Sequence, residues 1–194
     1  MYKQDLWQQG WQLLIRAQHD KKHAFRTPTL STVSKEHFPQ ARKVVLRAVD
    51  AEKRTLRFYT DYRSQKILDL RHQPIAHWLF WDPKSRLQIS AMGSVSFLPQ
   101  QQVAFLFTGL PKHGRKSYAT LNAPGTSLDK SEDGLPEDWD HLSLVDTNYA
   151  LANFCVGETI VEKAEILYLN REGHRRLRAN RLANNDWQLD WLVP

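Results

Sequence analysis

From Leu87 to Phe97 the chain alternates without a break. Leu87, Ile89, Ala91, Gly93, Val95 and Phe97 fall on one side, and Gln88, Ser90, Met92, Ser94 and Ser96 on the other. Successive side chains of a strand point to opposite faces, so this stretch predicts a long β-strand with one buried and one polar face. Such strands build antiparallel sheets. Lys43–Val49 and Thr55–Thr60 flank the turn residues Asp50-Ala51-Glu52-Lys53 and predict a hairpin. Ile75–Trp81 is apolar on both faces, as in a central strand. Ala24–Val33, interrupted by Thr27-Pro28, predicts an edge strand. Asn153–Tyr168 predicts one or two strands. Arg175–Arg181 and Trp187–Leu192 predict a closing hairpin around Ala183-Asn184-Asn185-Asp186.

Helices are fewer. Over residues 3–20, Leu6, Trp7, Trp11, Leu14 and Ile15 follow a 3.6-residue period. Ser64–Arg71 reads as a short helix with Asp61 or Ser64 as its cap and Pro74 as its stop. Pro99 opens another, with Val103, Leu106, Phe107 and Leu110 on one side. Residues 111–147 run from basic to acidic with weak periodicity, which marks a functional, mobile or interface segment. The expected architecture is mainly β with a few helices (α+β), an antiparallel barrel. It forms one domain over 1–194: a helix (3–20), a barrel core (24–110), the long segment (111–147) and closing strands (148–194).

Composition narrows the function classes. With 41% hydrophobic and 25% charged residues in 194, the chain is globular and large enough for one core. No apolar run approaches the roughly 20 residues of a spanning helix, and the start MYKQDLWQQGWQLL lacks the pattern of a signal peptide. The single cysteine, Cys155, excludes an intrachain disulfide and a Cys-rich metal site, and reads as a small buried hydrophobe. These features predict a cytoplasmic protein with no membrane partner and no metal. The net charge of +6 suits a polyanion partner, whether nucleic acid, anionic lipid or a phosphorylated small molecule, provided the cations converge.

Common catalytic signatures are absent: there is no G-x-G-x-x-G, H-E-x-x-H, C-x-x-C or G-x-S-x-G. Gly109-Leu-Pro-Lys-His-Gly114-Arg115-Lys116-Ser117 approaches a P-loop, but a helical pattern precedes it and Arg115 displaces the lysine. His19 and His23 have metal-ligand spacing without a third ligand and read as surface residues. The informative region is 42–88. Arg42 and Arg47 flank Lys43-Val44-Val45-Leu46 on the first hairpin strand, Tyr59-Thr60 ends its partner, and Arg63-Ser64-Gln65-Lys66 opens a helix. A helix N-terminus beside Ser64, Lys66 and Arg42 makes a phosphate site. The same residues also suit a helix cap among solvated cations.

The run ARKVVLRAVD…LRFYTDYRSQK…PIAHWLFWDPKSRLQISAMGSV resembles the pyridoxamine 5'-phosphate oxidase family of FMN-binding split barrels. Arg42 matches the family's first Arg, and Arg47 stands where its Lys usually is. Tyr59 and Thr60 match its strand end, Ser64, Gln65 and Lys66 its Ser-Arg-Lys helix start, and Gln88 its Gln. The ending DWQLDWLVP resembles the family terminus, approached through His174-Arg175-Arg176. The likeness is strong over about 42–97, weak over 98–150 and moderate at the C-terminus.

The resemblance implies a six-stranded split barrel and a homodimer with FMN between subunits. It places Arg42, Ser64 and Lys66, beside Gln65, at the ribityl phosphate. Lys43, Val44, Val45, Leu46, Arg47, Tyr59 and Thr60 run along the flavin, and Gln88 and Arg176 lie at its ring. A cation at the N1–C2 edge suits a reduced flavin. The implied activity is FMN-dependent oxidoreduction, with the catalytic residues and substrate unassigned. A non-catalytic flavin store or sensor and a polyanion-binding barrel are the alternatives, nucleic acid being the less expected partner.

The family's substrate-binding Arg-Leu-His corresponds to Glu172-Gly173-His174. Leu110 and Gly114 occupy the places of its phosphate-holding Arg and Ser. A Gln-Ser flavin contact falls at Ala123-Pro124 or Gly125-Thr126. The resemblance thus implies a retained flavin site without the family's pyridoxal-phosphate site.

Overall fold

The computed structural model describes residues 2–194. Helix α1 spans Lys3–His19. Strands β1 (Thr29–Val33), β2 (Pro39–Lys43), β3 (Leu46–Asp50) and β4 (Thr55–Asp61) follow, then α2 (Gln65–His72), β5 (Ile75–Asp82) and β6 (Leu87–Phe97). After α3 (Gln100–Thr108) and the short α4 (Lys112–Arg115) come β7 (Phe154–Tyr168), β8 (Arg175–Arg181) and β9 (Trp187–Leu192).

All nine strands join one antiparallel sheet in the order β2-β1-β5-β6-β7-β4-β3, with β8 on β7 and β9 on β8. β2 and β3 lie at opposite ends of this path, yet only Val44 and Val45 separate them. Three Cα steps of 3.8 Å reach about 11 Å at most. The two ends of the path must therefore meet, which rolls the sheet into a barrel.

β7 carries the split. Along one edge, Phe154–Ile160 pairs with β4, and Lys163–Tyr168 then pairs with β8. The change of partner coincides with a register shift against β6 between Met92 and Gly93. A bulge bends and twists a strand locally, and here the bend is tight: a Cβ on Gly93 would collide with the Ile160 carbonyl.

The core lies inside the barrel and under α1. Leu6, Trp7, Trp11 and Leu14 meet Leu56, Phe58, Trp78, Phe80 and Ile89, all buried. Trp7 also packs against Trp187 in a tilted pair at 4.9 Å between centroids, and the Arg54 guanidinium lies 4.6 Å from the Trp11 ring centroid. Both tryptophans are thus consumed within their own chain.

A second cluster of Val103, Phe107, Tyr118, Trp139 and Phe154 ties residues 111–147 to β7. The Arg115 guanidinium, 2% exposed, fixes that segment. It donates to the Leu144 carbonyl at 2.9 Å, Asn148 Oδ1 at 2.9 Å and Thr147 Oγ1 at 3.1 Å. The P-loop-like run is therefore a helix end and a buried anchor.

Several expectations are corrected. β1 is interior, pairing with both β2 and β5, and the edge is β2. The first hairpin strand is broken at Val44-Val45, so Arg42 and Arg47 stand on different strands. That break and the β8–β9 hairpin bring the sheet to nine strands where the resemblance implies six in the barrel. β5 is apolar on both faces but covered on one: Ala76, Trp78 and Phe80 are buried, whereas Ile75, Leu79 and Trp81 are 43, 37 and 43% exposed.

Candidate functional site

The crossing from β2 to β3, the end of β4 and the start of α2 converge on a cleft of about 330 Å³. Arg42, Lys43, Val44, Val45 and Arg47 come from the crossing, Tyr59, Thr60 and Asp61 from β4, and Ser64 and Lys66 from α2. The break that closes the barrel thus also delivers the cations.

The β4–α2 turn is organised by Asp61. Its Oδ1 accepts the Arg63 N–H at 2.7 Å, and its carbonyl accepts the Ser64 hydroxyl at 2.7 Å. Ser64 occupies the N-cap position but makes no side-chain cap, so first-turn N–H groups of α2 are left for another acceptor. Lys66 Nζ donates to Thr60 Oγ1 at 3.0 Å and Ser64 Oγ at 3.1 Å. Burial, with Arg42 adding to it, holds the ammonium below its ordinary pKa, while Asp61 and Asp69 oppose that shift.

Arg42 Nη1 donates to Thr32 Oγ1 at 2.6 Å, and its Nη2 lies 3.5 Å from Asp69 Oδ2. Arg47 lies over the Tyr59 ring at 5.0 Å from its centroid, and among the described residues its buried Nε has no hydrogen-bond partner. Burial pushes the nearby Tyr118 phenol up to about 12, so it keeps its proton at neutral pH. The cleft is therefore cationic, with donors not saturated by the protein. Asp61 is already paired with Arg63 at 2.8 Å.

Not every expected residue lines this cleft. The Leu46 side chain is fully buried in the core, leaving only its backbone for the crossing. Gln65 donates to Asp69 at 3.1 Å. Gln88 and Arg176 lie elsewhere, in one row across β6, β7 and β8 through Leu167. Arg176 is bonded there to Glu165 at 2.6 Å.

Conversely, Thr27, Asp61, Ser117 and Tyr118 line the cleft without having been singled out as its residues, and Pro124 lines it as well. Pro124 agrees with the first of the two registers. Ser117 and Tyr118 carry no local signal. They arrive because Tyr118 packs on Phe154 at 4.8 Å and Arg63 donates to the Thr120 carbonyl at 3.0 Å.

Trp78 and Phe80 are fully buried and stacked on each other at 5.9 Å, so neither offers a platform for a nucleobase. Among the described residues no cluster of metal-ligating side chains occurs, and no helix is long and apolar enough to cross a membrane. Cys155 is buried and its thiol is pushed up to about 11, mainly by burial.

The family described as pyridoxamine 5'-phosphate oxidase, FMN-binding domain, matches residues 5–99. A pyridoxine/pyridoxamine 5'-phosphate oxidase of Salinibacter ruber is 29% identical over 176 residues, covering 86% of this chain and 78% of the relative. One from a Cyanothece species is 43% identical over 68 residues, covering 35% of this chain and 31% of the relative.

Among solved structures, a pyridoxamine 5'-phosphate oxidase-related, FMN-binding protein of Nostoc punctiforme superposes with a TM-score of 0.80 at 21% identity over 97% of both chains. PhzG of Burkholderia lata, solved with tetrahydrophenazine-1-carboxylic acid, gives 0.72 at 20% identity over 94% of this chain and 89% of that one. These likenesses extend the shared fold across the segment where the sequence signal is weak.

The residues present fit FMN. A phosphate monoester needs several donors and a positive field. Lys66, Arg42 and the uncapped start of α2 supply both, and among the described residues the buried Nε of Arg47, which also lines the cleft, lacks an acceptor. With its nine-stranded antiparallel barrel sheet and this cleft, the chain matches the FMN-binding domain of the pyridoxamine 5'-phosphate oxidase family over residues 5–99 and shares the fold of an FMN-binding protein related to it.

Proposed function

We propose that the protein is an FMN-dependent oxidoreductase whose substrate is not pyridoxamine 5'-phosphate. The observation that carries the reading is the convergence of Arg42, Arg47 and Lys66 on one cleft, with Lys66 bonded only to hydroxyls and Arg47 Nε bonded to nothing. Arg42, Ser64 and Lys66 hold the phosphate. The Val44–Arg47 crossing, Tyr59 and Thr60 wall the remainder. Tyr118 and Pro124 close the opposite side and exclude water, with Tyr118 protonated. FMN, when bound, supplies two-electron redox chemistry, and the protein positions and tunes it.

Gln88 and Arg176 reach a flavin only from a second copy. We propose a homodimer joined through the outer sheet face that carries them beside the exposed Leu79, Trp81 and Met92. Trp7 and Trp11 take no part in this contact, since both are buried in their own core.

The substrate reading rests on Glu172, Gly173 and His174, which form an exposed turn before β8, and on Leu110 and Gly114, which offer no charge where the family has phosphate ligands. The test is the visible spectrum of the purified protein with added FMN, a reductant and then air. Binding, bleaching and recovery support redox competence. Binding without bleaching means a store. No binding, with a salt-dependent shift on RNA or DNA, means a polyanion-binding barrel. A kcat/KM of about 10⁴ M⁻¹s⁻¹ or more on pyridoxamine 5'-phosphate overturns the substrate reading.

A further inference from the structure

Behind the cations of the cleft lies a buried hydrogen-bonded relay. Asp69, on α2, has a fully buried side chain. Its Oδ2 accepts the Thr32 hydroxyl from β1 at 2.7 Å, and its Oδ1 accepts Gln65 Nε2 at 3.1 Å. Thr32, 2% exposed, in turn accepts Arg42 Nη1 at 2.6 Å, and Arg42 Nη2 lies 3.5 Å from Asp69 Oδ2. A hydroxyl has one hydrogen and two lone pairs. Because Asp69 takes that hydrogen, a lone pair of Thr32 is left for Arg42. The guanidinium is thereby held by two residues that do not themselves line the cleft, and among the described residues its Nε makes no side-chain hydrogen bond.

We infer that Asp69 and Thr32 are positioning residues for anion binding, aiming Arg42 into the cleft without touching the anion themselves. The inference rests on the FMN reading of this cleft. A flexible arginine gives up rotamer freedom when it grips a phosphate, whereas one already held in place does not. Charge alone acts in the opposite sense. Neutralising Asp69 leaves the cleft more positive, which favours an anion. The Arg42–Asp69 contact is long and the Thr32 relay short, so loss of orientation outweighs the gain in field.

The sign of one substitution therefore separates the roles. FMN and riboflavin affinities are measured by flavin fluorescence quenching on the full chain, with thermal melts as the folding control. Asp69→Asn is expected to weaken FMN by about tenfold and to leave riboflavin, which has no phosphate, within about twofold. Thr32→Val is expected to act the same way, and Thr32→Ser, which keeps the hydroxyl, to restore wild-type affinity. In an Arg42→Gln background, Asp69→Asn is expected to have little further effect, because coupled residues are non-additive.

Tighter FMN binding by Asp69→Asn overturns the inference in favour of a charge-balancing role. Equal losses for FMN and riboflavin, or additivity with Arg42→Gln, reduce Asp69 to fold maintenance. If Asp69→Asn does not fold, the Thr32 pair decides the matter alone. A wild-type chain that binds neither flavin refutes the FMN reading itself, a result distinct from all of these.

Discussion

Lys66 donates to Thr60 across the β4–α2 turn at 3.0 Å, and among the described residues its ammonium makes no ion pair with a carboxylate. A half-buried cation satisfied only by hydroxyls gains from any anion that joins it. Lys66→Ala is therefore expected to weaken FMN binding by about 1.5–3 kcal/mol and to leave riboflavin nearly unchanged. Equilibrium titration with both flavins checks this, and equal losses place Lys66 outside the phosphate site.

The same burial sets a pH dependence. In the free protein the Lys66 pKa lies below the ordinary 10.5, so protons leave it earlier than from a solvated lysine. Phosphate binding favours the charged form and raises that pKa. Affinity for FMN is thus fully present below the depressed pKa and falls as pH rises through it. The alkaline limb is expected for FMN, and to shrink in Lys66→Ala. An FMN affinity flat to pH 10.5 contradicts the assignment.

Gly93 tests the split. The bulge that lets β7 exchange β4 for β8 brings the Ile160 carbonyl against the Gly93 α-carbon. Gly93→Ala must push two strands apart and is expected to cost at least about 2 kcal/mol, a fall in Tm of roughly 4–8 °C for a chain of this size. Gly125→Ala is a useful contrast: its φ of 92° strains any side chain, but no atom lies within 4 Å. A Gly93→Ala melt indistinguishable from wild type would refute the tight-bend account.

Assembly is read from the outer sheet face. Trp81, 43% exposed, stands directly opposite Gln88 on the neighbouring strand. If two copies meet there, sedimentation at low micromolar concentration gives a species of twice 22.7 kDa, and Trp81→Lys gives the monomer with weakened FMN binding. A wild-type monomer that holds FMN tightly rules out both the dimer and the shared site.

The strands were legible in the sequence wherever burial is one-sided. Leu87–Phe97 alternates because one face meets the core, and the structure forms β6 over those residues. Arg42, Lys43, Val44, Val45, Arg47, Tyr59, Thr60, Ser64 and Lys66 were legible as one group because a hairpin and a helix start keep them near in sequence, and all line one cleft. What local pattern could not convey is how far apart in sequence the remaining walls are. Ser117 and Tyr118 join through packing on Phe154, and Asp69 meets Arg42 through Thr32 on another strand. The break at Val44-Val45 reads as continuous strand because the two residues at the break are themselves apolar and β-branched. Only the closure of the sheet, which forces two residues to join the ends of its path, decides that the chain leaves one strand there and begins another.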